Sequence, residues 1–190
     1  MSGTDHANHG AAEAVAARIE RRWAVLAIAI VAVLIGMATF IGLHKATMPQ
    51  GRVETSDPRT LHLSGEFVEN NLGTSVDANG KVMVRLIAQQ YSFEPQCLVV
   101  PAGVPVTFRA TSADAIHGFV VDKTNANVML IPGFVATFTA TFKEPGERLM
   151  PCHEYCGTGH EAMWGRVQVL PAEEFMAKAR SGERVSCVPR

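Results

Sequence analysis

Residues 134–142, Phe134-Val-Ala-Thr-Phe-Thr-Ala-Thr-Phe142, set Phe134, Ala136, Phe138, Ala140 and Phe142 at every second position, with Val135, Thr137, Thr139 and Thr141 between them. Side chains alternate faces along a strand, so this run reads as β-structure with one aromatic, core-facing side and one threonine-rich side. The same period of two begins at Lys81, where Val82, Val84, Leu86 and Ala88 alternate with Met83, Arg85 and Ile87. Shorter runs at 97–100, 105–110, 118–122, 127–131, 147–150 and 165–170 are parted by Pro, Gly, Asn and Asp. Short strands at that spacing predict a β-sandwich or barrel over residues 81–171. Beyond Leu170, Pro171 can open a helix, Glu173 and Glu174 suit its positive end, Lys178 and Arg180 its negative end, and Gly182 a stop. A short helix is expected at about 172–180, within a C-terminal segment of 172–190.

Upstream the pattern changes. Residues 44–80 are turn-rich, with Met48-Pro-Gln-Gly51, Asp57-Pro58 and Asp77-Ala-Asn-Gly80, and read as linker and loops. Residues 23–43 carry no charge and are dense in Ala, Val, Ile and Leu, and a helix of that length crosses a hydrocarbon layer of about 30 Å. A secretory signal has a shorter apolar core and a small-residue cleavage site, which is not evident before His44-Lys45, so an uncleaved transmembrane anchor is expected. Arg18, Arg21 and Arg22 precede it and only Lys45 follows closely. The positive-inside rule then leaves residues 1–22 as a cytoplasmic tail, of which 1–17, small and polar, read as disordered or weakly helical, and the β-domain on the periplasmic side of a bacterial-type inner membrane.

With 190 residues the chain suits one compact domain plus an appendage. Its formal charge of −1 offers no basic field to gather nucleic acid. Four cysteines are too few for a disulfide-built miniprotein, and no Cys-x-x-Cys-His run is present to attach haem to this chain.

Chemistry concentrates in Pro151-Cys-His-Glu-Tyr-Cys-Gly-Thr-Gly-His-Glu-Ala-Met-Trp164. Cys152, Cys156, His160 and Met163 share one predicted loop, and His117 stands just before another strand. Thiolate, thioether and imidazole are soft to borderline ligands that select copper, zinc or iron–sulfur centres over magnesium or calcium. One Cys with two His and a weak axial Met is a blue-copper set. Two thiolates can instead bridge two coppers, each completed by one imidazole and one weak axial donor, for which His117, His160, Met163 and a backbone carbonyl between the cysteines suffice. The competing zinc site of two Cys and two His would leave Met163 without a role.

The run from Cys152 to Met163 resembles the C-x-[EQ]-x-C-x-x-x-H-x-x-M signature of the CuA site in the cytochrome c oxidase subunit II family, and Ile116-His-Gly-Phe119 resembles that family's first-histidine motif. The resemblance spans about residues 20–170, and the single anchor, the Tyr-Cys-Gly-x-Gly-His wording and Ser56-Asp-Pro58 look most like the B-type, ba-type branch. It implies a cupredoxin-like Greek-key domain holding dinuclear copper. Cys152 and Cys156 would bridge, and His117, His160, Met163 and the Glu154 carbonyl would complete the metals. Asp114, three residues before His117, is a candidate to orient its imidazole. The resemblance also implies partners: cytochrome c as electron donor, a haem-bearing subunit I that reduces oxygen and pumps protons, and the lipid membrane. Tyr91, Phe93 and Trp164 are candidates for the apolar patch where electrons arrive. A copper-bearing subunit of a nitric oxide reductase would share every one of these features, and a membrane-anchored copper-binding protein is the third alternative.

Cys97 and Cys187 are not needed by copper. On an oxidising side free thiols tend to oxidise. A disulfide between them would pin the tail to the sandwich; the alternative is a small core residue and a frayed thiol.

Overall fold

The computed structural model describes residues 3–44, 53–180, 185 and 187. Lys45, the Met48–Gly51 break and Gly182 lie outside the described residues. The chain divides into two units, residues 1–49 and 50–190.

The first unit is one helix, α1, Gly3–His44. Among the described residues it is the one helix long and apolar enough to cross a membrane, over Glu13–His44. The tail at 1–17, expected to be disordered or weakly helical, is helical from Gly3. Its composition explains this: Ala7, Ala11, Ala12, Ala14, Ala16 and Ala17 are strong helix formers, and a nucleated helix propagates cheaply into them.

The second unit is a cupredoxin-like β-sandwich. Its strands are β1 (Glu54–Thr55), β2 (Gly73–Val76), β3 (Val82–Gln89), β4 (Ser92–Glu94), β5 (Cys97–Pro101), β6 (Pro105–Ser112), β7 (His117–Val120), β8 (Asn127–Leu130), β9 (Phe134–Thr141), β10 (Gly146–Pro151) and β11 (Trp164–Leu170), followed by helix α2 (Ala172–Arg180). One sheet runs β1-β9-β6-β3-β2 with β4 also on β3; the other runs β10-β11-β5, and β7 pairs with β8. β3 lies parallel to β6 and β11 parallel to β5, while the other pairs are antiparallel. Between the sheets sits an aromatic core. Phe108 stacks on Phe138 at 5.0 Å, and Phe119 meets Phe93 edge-on at 5.8 Å. Burying rings of this size stabilises the domain by roughly 1.5–3 kcal/mol each.

Two features of the strands depart from the alternation. Ala140 and Phe142 are buried as expected, but Phe134, opposite Thr55 of β1, is 48% exposed because it lies at the sheet's margin. Residues 53–76, read as linker, are part of the sandwich. They add β1 and β2, and their Leu61 and Phe67 bury Ile87 on the outer face of β3. Glu54 and Glu66 both pair with Arg109 of β6, and Arg85 of β3 lies 3.5 Å from Glu66. Strands of two and four residues are too short to show a period, which is why they read as loop.

α2 follows Pro171, and Phe175, fully buried, fixes it to the core. Lys178 pairs with Glu174 one turn earlier at 2.9 Å. Cys97 of β5 and Cys187 are joined in a disulfide with Cα atoms 5.5 Å apart.

Candidate metal centre

Three loops converge at one end of the sandwich: the turn before β7, the long connection between β10 and β11, and the β3–β4 hairpin tip at Gln90-Tyr91. One backbone bond closes the second of these on itself, and another stitches it to the start of β7. Cys152 N–H donates to the Met163 carbonyl at 3.0 Å, and His153 N–H donates to the Gly118 carbonyl at 2.9 Å. Gly118 is required for this approach, since a Cβ there would lie 2.5 Å from the His153 carbonyl carbon.

The donor atoms converge in turn. Cys152 Sγ and Cys156 Sγ are 3.9 Å apart. His117 Nδ1 lies 3.8 Å from Cys152 Sγ, and His160 Nδ1 3.7 Å from Cys156 Sγ. Met163 Sδ is 3.8 Å from Cys156 Sγ, and the Glu154 carbonyl oxygen 3.2 Å from Cys152 Sγ. His117, Cys152, Cys156 and Met163 are buried, whereas His160 is half-buried at the rim. Metal–thiolate bonds run to about 2.3 Å, so sulfurs at this separation can both reach a metal on either side of the line joining them. A soft, mostly buried S/N set of this kind fits copper, and Met163, aimed inward, distinguishes it from a closed zinc site.

Asp114 organises the histidine. Its Oδ1 accepts from His117 Nε2 at 2.9 Å, which leaves Nδ1 as the free donor facing the sulfurs, and its Oδ2 accepts from Gln90 N–H at 2.7 Å. Burial pushes the Asp114 carboxyl up, but the hydrogen bonds from His117, Gln90 and Ala115 outweigh it and hold it below the usual carboxylate range. Burial, then the neighbouring Cys152, pushes the Cys156 thiol up to about 11. Without a cation this favours the thiol over the thiolate, and metal binding at Cys156 would release a proton.

The other sequence candidates separate. Phe93 is fully buried in the aromatic core and cannot form part of a surface patch; its side chain points inward because β4 pairs with the buried end of β3. Trp164 is 46% exposed, its indole N–H donating to the Glu161 carbonyl, and Tyr91 is 37% exposed. The Glu154 side chain and His153 are exposed. Sequence reasoning missed Gln90, whose side-chain amide donates to the Cys156 carbonyl. It also missed the exposed apolar rim of Ile116, Met129 and Tyr155 beside Cys156. The glycines of Cys156-Gly-Thr-Gly-His160 were the available signal, because such density marks a loop that something else packs against closely.

Residues 82–170 match the family described as cytochrome c oxidase subunit II, periplasmic domain. The chain is 34% identical over 163 residues to a cytochrome c oxidase subunit 2 of Thermus thermophilus, covering 85% of this chain and 96% of that one. A second Thermus thermophilus cytochrome c oxidase subunit 2 is 37% identical over 130 residues, 68% of this chain and 96% of its own length. Among solved structures, a chain of a haem-copper terminal oxidase dimer superposes with a TM-score of 0.62 at 26% identity, covering 80% of this chain and 99% of that chain.

Proposed function

Since the chain belongs to the cytochrome c oxidase subunit II family, we propose that its β-domain holds a dinuclear copper centre that takes electrons from cytochrome c and delivers them to haem in subunit I. It is a subunit of a haem-copper oxidase, an oxidoreductase complex that contains subunit I. One observation carries the copper reading. Two imidazole nitrogens, a thioether and a carbonyl oxygen each lie within 3.8 Å of one of two sulfurs that are themselves 3.9 Å apart.

A copper pair held there would supply one-electron transfer. Everything else falls to the chain. Cys152 and Cys156 would hold the pair together with His117, His160, Met163 and the Glu154 carbonyl, and Asp114 holds the His117 imidazole in the tautomer that presents Nδ1. Six donors from one chain leave no position open for a substrate, so these residues bind and orient while oxygen reduction and proton pumping belong to subunit I. Burial of His117 and Met163 keeps water out, and the seating of His117 at the start of β7 and of Met163 immediately before β11 limits movement when the charge changes. Electrons arrive over the exposed edges of Trp164 and Tyr91, both beside ligand residues.

Residues 23–43 form a membrane anchor, with residues 1–22 in the cytoplasm and the β-domain, from residue 53 onward, in the periplasm, following the arginines at 18, 21 and 22. The single anchor and the Tyr155-Cys-Gly-Thr-Gly-His160 wording favour the B-type branch. A nitric oxide reductase subunit is not favoured, since the relatives matched are oxidase subunits.

Metal analysis and electron paramagnetic resonance of the full chain, purified in detergent and loaded with copper, test the proposal. Two coppers per chain with a mixed-valence spectrum are expected. One copper, or one zinc, with every ligand intact would overturn it.

A further inference from the structure

His117 and Cys156 lie 39 positions apart in sequence on loops with no continuous strand pairing between them, yet both must hold the same metal pair. On one side the loops are joined by the bond from His153 N–H to the Gly118 carbonyl. On the other side stands Gln90. We propose that Gln90 is a positioning residue that clamps the His117 loop and the Cys156 loop to each other; this rests on the copper reading above.

Gln90 uses both its backbone and its side chain. Its N–H donates to Asp114 Oδ2 at 2.7 Å, and Asp114 Oδ1 in turn accepts from His117 Nε2 at 2.9 Å. Its side-chain amide donates to the Cys156 carbonyl, the peptide that sets the direction of the Cys156 side chain. The ligand loop is shaped to admit the hairpin tip. A Cβ at Gly157 would lie 2.5 Å from Tyr91 Oη and 2.9 Å from Gln90 Nε2, and a Cβ at Gly159 would lie 2.6 Å from the Tyr91 ring. Tyr91 Oη also lies 3.3 Å from Thr158 Oγ1.

The clamp is anchored on a rigid element. Gln90 follows β3 directly, and β3 is held by β2, β4 and β6 and buried on both faces through Leu86, Ile87 and Ala88. A turn residue held directly by the end of that strand can resist displacement of the other two loops when the metals change charge.

The test compares wild type, Gln90→Met and Gln90→Glu as full chains in detergent, loaded with copper. The readouts are copper release to a chelator, the sulfur-to-copper absorption band, and thermal unfolding of the metal-free chain. Met keeps the length and loses the donor; Glu keeps the shape and can only accept. Losing one hydrogen bond to the ligand loop is expected to speed copper release about tenfold in Gln90→Met. Gln90→Glu is expected to release at least as fast, both with a displaced absorption band and with metal-free melting close to wild type. If Gln90→Glu behaves as wild type, packing rather than donation matters and the proposal falls. It falls also if Gln90→Met matches wild type in band and release, or if metal-free melting drops enough to account for the faster release. A wild-type chain that takes up no copper pair overturns the underlying reading instead, a result that cannot be confused with these.

Discussion

At Cys156 burial and a neighbouring thiol keep a proton in place until a cation displaces it, and the same two features make serine a poor replacement. A hydroxyl is a weaker, harder bridge than a thiolate. Cys156→Ser is expected to lose the mixed-valence spectrum while the metal-free domain keeps its far-ultraviolet circular dichroism; a retained dinuclear spectrum would contradict the assignment of Cys156 as a bridge. Gly118 illustrates a second kind of residue effect. Its missing Cβ lets the His153 and Glu154 backbone pass within contact of β7, and neither neighbour is a flexible side-chain end. Gly118→Ala should therefore cost about 1–3 kcal/mol, as overpacking does, and weaken copper retention, because the displaced backbone carries the Glu154 carbonyl. Denaturant unfolding and chelator competition on one preparation check both effects.

Among the elements, two segments outside the main alternation hold the domain closed. The disulfide between Cys97 and Cys187 closes a loop of 90 residues and ties the chain after α2 to β5. In the chain-entropy model a loop of that size is worth on the order of 4–5 kcal/mol. The double variant Cys97→Ser, Cys187→Ser, studied metal-free, is expected to unfold at distinctly lower denaturant; an unchanged midpoint would mean the tail contributes nothing. The segment 53–68 is a strap across the outer face of β3, β6 and β9. Arg109 is shared by Glu66 and Glu54, with Glu66 the stronger partner, and together they raise its pKa well above its ordinary value. Arg109 is only 18% exposed, so Arg109→Leu would remove the cation that Glu54 and Glu66 share, leaving Arg85 beside Glu66. A loss of about 1–3 kcal/mol is expected, with earlier proteolytic cleavage within 53–68 as the sign that the strap has lifted.

For the whole molecule, the ligand set and its supports all lie in the second unit. Residues from about 46 to 190, expressed without α1, are expected to be soluble, to fold alone and to bind two coppers. Aggregation, or copper uptake only in the full chain, would count against it. The same unit carries 13 Lys and Arg against 15 Asp and Glu from Ala46 to Arg190. So slight an imbalance gives little long-range steering, and the exposed groups near the site include the apolar Ile116, Met129, Tyr155 and Trp164 beside Glu154 and Glu161. Oxidation of reduced cytochrome c should thus depend only modestly on ionic strength. A steep fall between low and physiological salt would show that local charge clusters dominate.

Periodicity and ligand chemistry are written along the chain, which is why the long strands β3, β6 and β9, the helix α2, the apolar run of 23–43 and the donors of 152–163 could all be read from residue order. Each depends on neighbours one to four positions away. What depends on neighbours dozens of positions away was not legible. Phe93 and Tyr91 look alike as aromatics two apart, and only the packing of β4 on β3 buries the first and leaves the second at the surface. Residues 54 and 66 show no pattern of their own and acquire a role only because Arg109 of β6 lies beneath both. Gln90 is an ordinary polar residue at a hairpin tip until the fold brings Asp114 and Cys156 to it. The sequence by itself determined the class of fold and the candidate donor set, because period and side-chain chemistry are local. The tertiary structure decided which residues hold those donors still, because a hydrogen bond or a close glycine contact exists only between surfaces that folding has brought together.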